Sequence, residues 1–258
     1  MNKMSLTDIG YIVNQKREYN ALGIFPYNIL MKCFNFAYEM SFGEVGKHRE
    51  RRSGGDKNRK NGEIFINVFQ GKLAEHGMWN EFEKRNIKIS SPDLSEYGLG
   101  EWDNFDLDVM GYKVAVKSTK YYGNLLLLEQ KNWNSFGEYV PNISKGTSHN
   151  DFFLLIRIGP DGEKLMRENK FLYKNNINIT ELKEIIINEK NIWSYDIAGF
   201  ITHKELCEII ENENIIKKDS MLNIYTKMDA DNYYVQAGDM RNIEELFKLI
   251  NENTLVYN

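Results

Sequence analysis

Apolar residues recur at helical spacing over residues 27–42 and 63–85, which predicts two long helices in the first third of the chain. Beyond residue 104 the period changes. Short apolar runs at 104–110, 112–118, 125–128 and 152–158 follow one another, separated by Gly, Asn, Ser and Pro, and read as consecutive strands of one sheet. A later strand at 197–201 runs into Thr202-His203-Lys204-Glu205. There Thr202 and Glu205 fit the capping box of a following helix, which accounts for His203 without chemistry. The last helix is expected over 242–251, and no internal repeat or low-complexity tract interrupts the pattern.

The segment from Phe105 to Lys117 alternates on both sides of Gly111-Tyr112, which predicts two half-buried strands joined by a two-residue type II′ turn at those residues. In that register Asp108 opposes Ala115 and Asp106 opposes Lys117. Leu107, Val109, Val114 and Val116 share one face, and Asp106, Asp108, Ala115 and Lys117 share the other. Two carboxylates and an ammonium on one patch suit a divalent cation held by oxygen ligands. They suit equally an exposed sheet face with a cross-strand ion pair, and the hairpin alone leaves both readings open.

Composition narrows the class. With 42% hydrophobic and 27% charged residues and four prolines, the chain has the make-up of an ordinary globular protein. No stretch approaches the roughly 18 apolar residues of a membrane span, and the start MNKMSLTDIG lacks the layout of a signal peptide, so a cytoplasmic protein without membrane contact is expected. Cys33 and Cys207 lie far apart in helical patterns and are expected as buried thiols, not as a disulfide or zinc site. A net charge of −4 does not advertise a nucleic-acid partner. The basic loop KHRERRSGGDKNRK, residues 47–60, does so locally: Arg51, Arg52, Lys57 and Arg59 on a glycine-hinged loop suit phosphate contacts, although a solvated connector has the same look.

Three segments taken in order resemble the PD-(D/E)xK nuclease superfamily: Gln70-Gly71-Lys72-Leu73-Ala74-Glu75 on a helix, Phe105-Asp106-Leu107-Asp108 on a strand, and Val114-Ala115-Val116-Lys117-Ser118 on the next. The following apolar strand ending in Glu129, and the basic loop ahead of the helix, look like type II restriction endonucleases. The resemblance covers about residues 70–130. It implies an α/β fold with a central mixed β-sheet flanked by helices, a restriction-endonuclease-like core and an N-terminal helical segment. It also implies Mg2+-dependent, site-specific hydrolysis of double-stranded DNA, with a homodimer if the site is symmetric. Asp108, with Asp106, Glu75 or Glu129, would hold the metal, and Lys117 would orient water or stabilise charge on the phosphate. Gly71 and Ala74 would let the helix approach the sheet and aim Glu75 at the hairpin.

Position 115 departs from the pattern, because an alanine stands where an acid is expected. The acidic ligand has migrated to Asp106, Glu75 or Glu129, or the chain has been deliberately inactivated, or it binds DNA without cutting. Two further acids imitate motif elements: Pro92-Asp93, more plausibly a turn, and Glu129-Gln130-Lys131, a second acidic-x-Lys. Candidate DNA contacts are Lys120, Lys145, Ser148, His149, Asn150 and Gln236, all in polar segments near the strands. A single nuclease domain over 1–258 is expected; a division, if there is one, separates a catalytic region, residues 1–158, from a smaller recognition region, residues 159–258. The rival readings are a repair or junction-resolving nuclease and a non-catalytic DNA-binding domain. Methyltransferase and ATPase readings lack a Gly-rich phosphate loop.

Overall fold

The computed structural model describes residues 1–43, 59–92, 94 and 106–256, with side chains to residue 252. Its strands are β1 (Ser5–Thr7), β2 (Gly10–Ile12), β3 (Gly23–Ile24), β4 (Leu107–Val109), β5 (Tyr112–Lys120), β6 (Leu125–Glu129), β7 (Phe152–Gly159), β8 (Ser194–Thr202), β9 (Ile215–Ile216), β10 (Met221–Leu222), β11 (Thr226–Lys227) and β12 (Asn232–Gln236). The α-helices are α1 (Tyr27–Phe42), α2 (Asn61–Glu83), α3 (Gly162–Glu168), α4 (Ile179–Ile186), α5 (His203–Glu211) and α6 (Ile243–Val256). The expected long helices, the strands at 112–118 and 152–158 and the capping box of α5 are all present, each within a few residues of its expected bounds.

The central sheet has the order β3-β8-β7-β5-β4. It is mixed, since β5 and β7 run parallel and the other neighbours antiparallel. All eight residues of β7, FFLLIRIG, are buried, which is why that strand is apolar on both faces but for Arg157: both faces of the sheet are covered. On one face α1, α2, α3, α4 and α6 close a core around Phe69, Leu73, Met78, Val114, Val116 and Leu154. Residues 159–180 contribute Met166, Leu172 and Ile177 to that same core. On the other face Ala115, Phe153 and Leu155 meet Leu126, Leu128 and Leu206 of β6 and α5.

The strand at 125–128 does not join the central sheet, as its neighbours in sequence suggested. β6 pairs instead with β12, over the register Leu125↔Gln236 to Glu129↔Asn232, in a three-stranded layer ordered β6-β12-β9. Its four leucines are needed in two cores: Leu126 and Leu128 face the central sheet, while Leu125 and Leu127 pack on the far side with Met4, Val13 and Tyr234. The chain ahead of α1 is also not helical. β1 and β2 form a small sheet with β10 and β11.

A segment without regular structure, residues 13–20, crosses the seam between the two main sheets. Arg157, 1% exposed, forms an ion pair with buried Asp196 and donates to the carbonyls of Arg17 and Glu18 at 2.7 Å each. Gln236 of β12, with 0% exposure, accepts from the amides of Asn14 at 2.9 Å and Gln15 at 3.1 Å. Buried charge and amide are thus both satisfied by backbone that has no ladder of its own.

Candidate functional site

The hairpin expected from alternation is present, with its turn one residue earlier than expected. β4 and β5 pair as Leu107↔Val114, Asp108↔Lys113 and Val109↔Tyr112, so the turn residues are Met110 and Gly111. Their φ angles of 53° and 93° are both positive, the signature of a type I′ turn, not II′. The cause is local: the Gly111 amide donates to Asp108 Oδ1 at 2.8 Å, so the aspartate closes the turn on itself. Moving the turn back by one residue shifts every cross-strand partner by two, an even number, and the division of faces survives. Leu107, Val109, Val114 and Val116 lie in the helix-covered core, and Ala115 lies in the opposite one.

The shift separates the two acids. Asp108 opposes Lys113 and forms an ion pair with it, the two side chains being about one-third exposed, at 30% and 33%. Burial pushes the Asp108 carboxyl up, but the hydrogen bonds from Lys113 and Gly111 outweigh it and hold the group below the usual carboxylate range. Asp106 lies ahead of β4. Val116 N–H donates to Asp106 Oδ2 at 2.6 Å, which puts this carboxylate beside the residue preceding Lys117. Lys117 is half-buried, and no hydrogen bond or ion pair joins its side chain to another described residue. Asp106 is thus fixed to the β5 backbone one residue before Lys117, with no ion pair between the two side chains, and Ala115 is 5% exposed. Asp108 is held at the turn.

Glu75 is not aimed at this face. α2 packs on the side of the sheet carrying Val114 and Val116, whereas Lys117 alternates with Ala115 onto the other. Glu75 pairs with Lys72 Nζ at 2.8 Å, both side chains nearly buried at 10% and 12%. The close approach of α2 to the sheet is at Gly77, where an added Cβ would meet the Tyr195 ring at 3.0 Å; Gly71 has open space around it. Beside Glu75, burial first and the glutamate second push the Cys33 thiol up to about 12, so it is an inert core thiol. The neighbouring His76 is 9% exposed with neither ring nitrogen hydrogen-bonded, and burial pulls it down to about 4. Cys33 and Cys207 are both unpaired, Cys207 being half-buried.

The remaining candidates divide by burial. Glu129 follows Leu125 and Leu127 in alternation, so it points away from the Ala115 face, and it lies 3.6 Å from Lys131 Nζ. Gln236 holds the crossing segment described above and is not available to bases. Ser148 is buried and donates to Glu138 Oε1 at 3.2 Å, and Asn150 is buried with its carbonyl 3.1 Å from His203 Nδ1. Lys120 lies between Glu163 at 3.0 Å and Asp161 at 3.6 Å, so its charge is already compensated. Arg59 lines a polar cleft with Glu63, Asn67 and Glu163. Lys145 and His149 are exposed, His149 lying 3.3 Å from Asp151. Arg51, Arg52, Lys57 and Asp93 lie outside the described residues.

Asp151 was not legible as a site neighbour. It opens β7, accepts from Lys113 N–H at 2.7 Å and returns its own amide to the Lys113 carbonyl at 2.8 Å, which continues the line of charged groups from Asp108. No local pattern marks it, because parallel pairing of β5 and β7 joins residues 38 apart.

A hard divalent cation takes six or more oxygens, usually with more than one carboxylate. The hairpin does not assemble that set. Both Asp108 oxygens are engaged, Asp106 has committed Oδ2, and position 115 contributes a methyl group. Among the described residues no group of three or more His, Cys, Asp or Glu is placed to hold a metal ion. What this part of β5 offers is one half-buried ammonium, one residue along from the amide that Asp106 holds, and an ammonium can grip a phosphate. Among the described residues no helix is long and apolar enough to cross a membrane. Compared with protein-family models, with curated proteins and with solved structures, the chain matches none.

Proposed function

We propose that this chain acts on double-stranded DNA as a restriction-endonuclease-type protein, with the edge of β5 at Asp106 and Lys117 as the point where a backbone phosphate is received. The observation that carries this reading is the junction of Asp106 with the Val116 amide, 2.6 Å apart, next to a half-buried lysine whose side chain has no partner among the described residues. On the same strand Lys113 and Lys120 are, by contrast, paired with acids. A lysine held on a strand and left uncompensated is a suitable phosphate contact. In the hydrolytic form of such a site magnesium polarises the phosphate and activates water. The chain's own contribution is positional: β5 fixes the lysine, and Asp106 fixes the strand edge.

Exposed Lys145 and His149 stand on the segment between β6 and β7 and supply further contacts to the duplex. A symmetric target would require two copies of the chain. The test is selection of bound duplexes from a random pool at low salt, followed by retardation of the enriched sequence. Enrichment of one sequence supports a site-specific reader. Failure to retain any duplex overturns the reading, and preference for branched over linear DNA would replace it with a junction-resolving one.

A further inference from the structure

We infer that this chain, as its sequence stands, binds its duplex without holding a divalent metal at the hairpin, and that Ala115 is the reason. The inference rests on the DNA reading above and concerns the state of the same site. The described carboxylates expected to serve the hairpin are engaged elsewhere, face another layer, or keep a single oxygen. Asp108 spends Oδ1 on the Gly111 amide and Oδ2 on Lys113. Glu75 lies in the helical layer with Lys72 at 2.8 Å, and Glu129 alternates onto the outer face of the second sheet. Asp106 retains one oxygen, which is a single ligand where several are needed.

The surroundings of Ala115 explain why an acid is absent there. Its methyl group lies among Leu126, Leu128, Phe153 and Leu155 at 5% exposure, beneath the β6-β12 layer. A carboxylate in that setting is desolvated and is tolerated only against a compensating cation. With a bound ion the acid is satisfied, and without one an alanine fills the space at no electrostatic cost. The methyl group at 115 and the missing ligands are thus one feature: the face is stable without metal, and Lys117 is left as its cation. Lys117 can then neutralise a phosphate, while no described group here generates a nucleophile.

Mn2+ titration of the full chain by calorimetry, without DNA, tests this, together with Asp106→Asn, Ala115→Glu, and the double variant. Expected are no saturable sub-millimolar uptake by the parent chain and no change on Asp106→Asn. Ala115→Glu should gain one site per chain that the double variant loses, and its lowered melting temperature should recover when Mn2+ is added. Asp106-dependent Mn2+ uptake by the parent, or cutting of plasmid by the parent with Mg2+, overturns the inference. A folded Ala115→Glu that takes up no Mn2+ overturns the assignment of position 115. If that variant does not fold, the parent and Asp106→Asn titrations decide alone. Absence of duplex binding by the parent is a separate result that removes the DNA reading itself.

Discussion

Asp108 is bonded to Lys113, its cross-strand partner, and not to Lys117 four residues further along β5. This relationship commits Asp108 to the turn. Asp108 closes the turn through Gly111 and balances Lys113; Asp106 reaches the strand edge beside Lys117.

Replacing Asp108 by alanine removes both turn contacts and should lower stability by about 1 kcal/mol, the scale for a partly exposed hydrogen-bonded pair. Asp108→Asn keeps an acceptor for Gly111 and should lose less. Because the folded carboxyl is held below its unfolded value near 3.9, its contribution is full above about pH 4 and is lost as pH falls through the lowered folded value. Urea midpoints of the two variants between pH 2 and 7 check this; equal losses at every pH would contradict it.

His76 should behave as a liability. Its ring is buried, neutral and without a hydrogen-bond partner, so His76→Phe or His76→Leu should raise stability by roughly 1 kcal/mol. The unfolded chain binds a proton near pH 6.5, the folded chain near pH 4, so the parent loses stability as pH falls from about 6.5 to 4 and no further from this group below that. The variants should lack this slope. Thermal unfolding between pH 4 and 7 measures it, and an identical slope in parent and variant would show that His76 is not the titrating group.

Asp196→Ala leaves the Arg157 guanidinium buried without its charge partner and should cost about 3–5 kcal/mol. It also removes the acceptor of the Asn20 amide, 3.0 Å away, so cleavage by a nonspecific protease should shift towards residues 13–20. Mass spectrometry of the early fragments decides; an unchanged fragment pattern would contradict the role of this pair in fastening the crossing segment.

The architecture was largely legible because periodicity is a local signal. α1 was readable to the residue, and the faces of the hairpin followed from alternation even though the turn residues did not. Its position was decided by the Asp108 side chain closing on Gly111, a contact that hydrophobic pattern does not encode. The partner of β6 was hidden for a different reason: a run of four leucines says that both faces are covered but not by what. The candidate site fared likewise. Asp106 reaches the backbone of β5 within one hairpin, whereas Glu75 was assigned by helical spacing, which cannot say on which face of the sheet the helix lies. Gln236 and Lys120 read as polar contacts until long-range partners, Asn14 and Glu163, claimed them.

The central claim is that the Lys117 ammonium meets DNA phosphate, and the salt dependence of duplex binding by the parent chain and by Lys117→Ala tests it most directly. The account predicts that the variant folds as stably as the parent, binds more weakly across sequences, and loses about 0.9 from the slope of log K against log salt. Identical affinity and slope in the two proteins would contradict it.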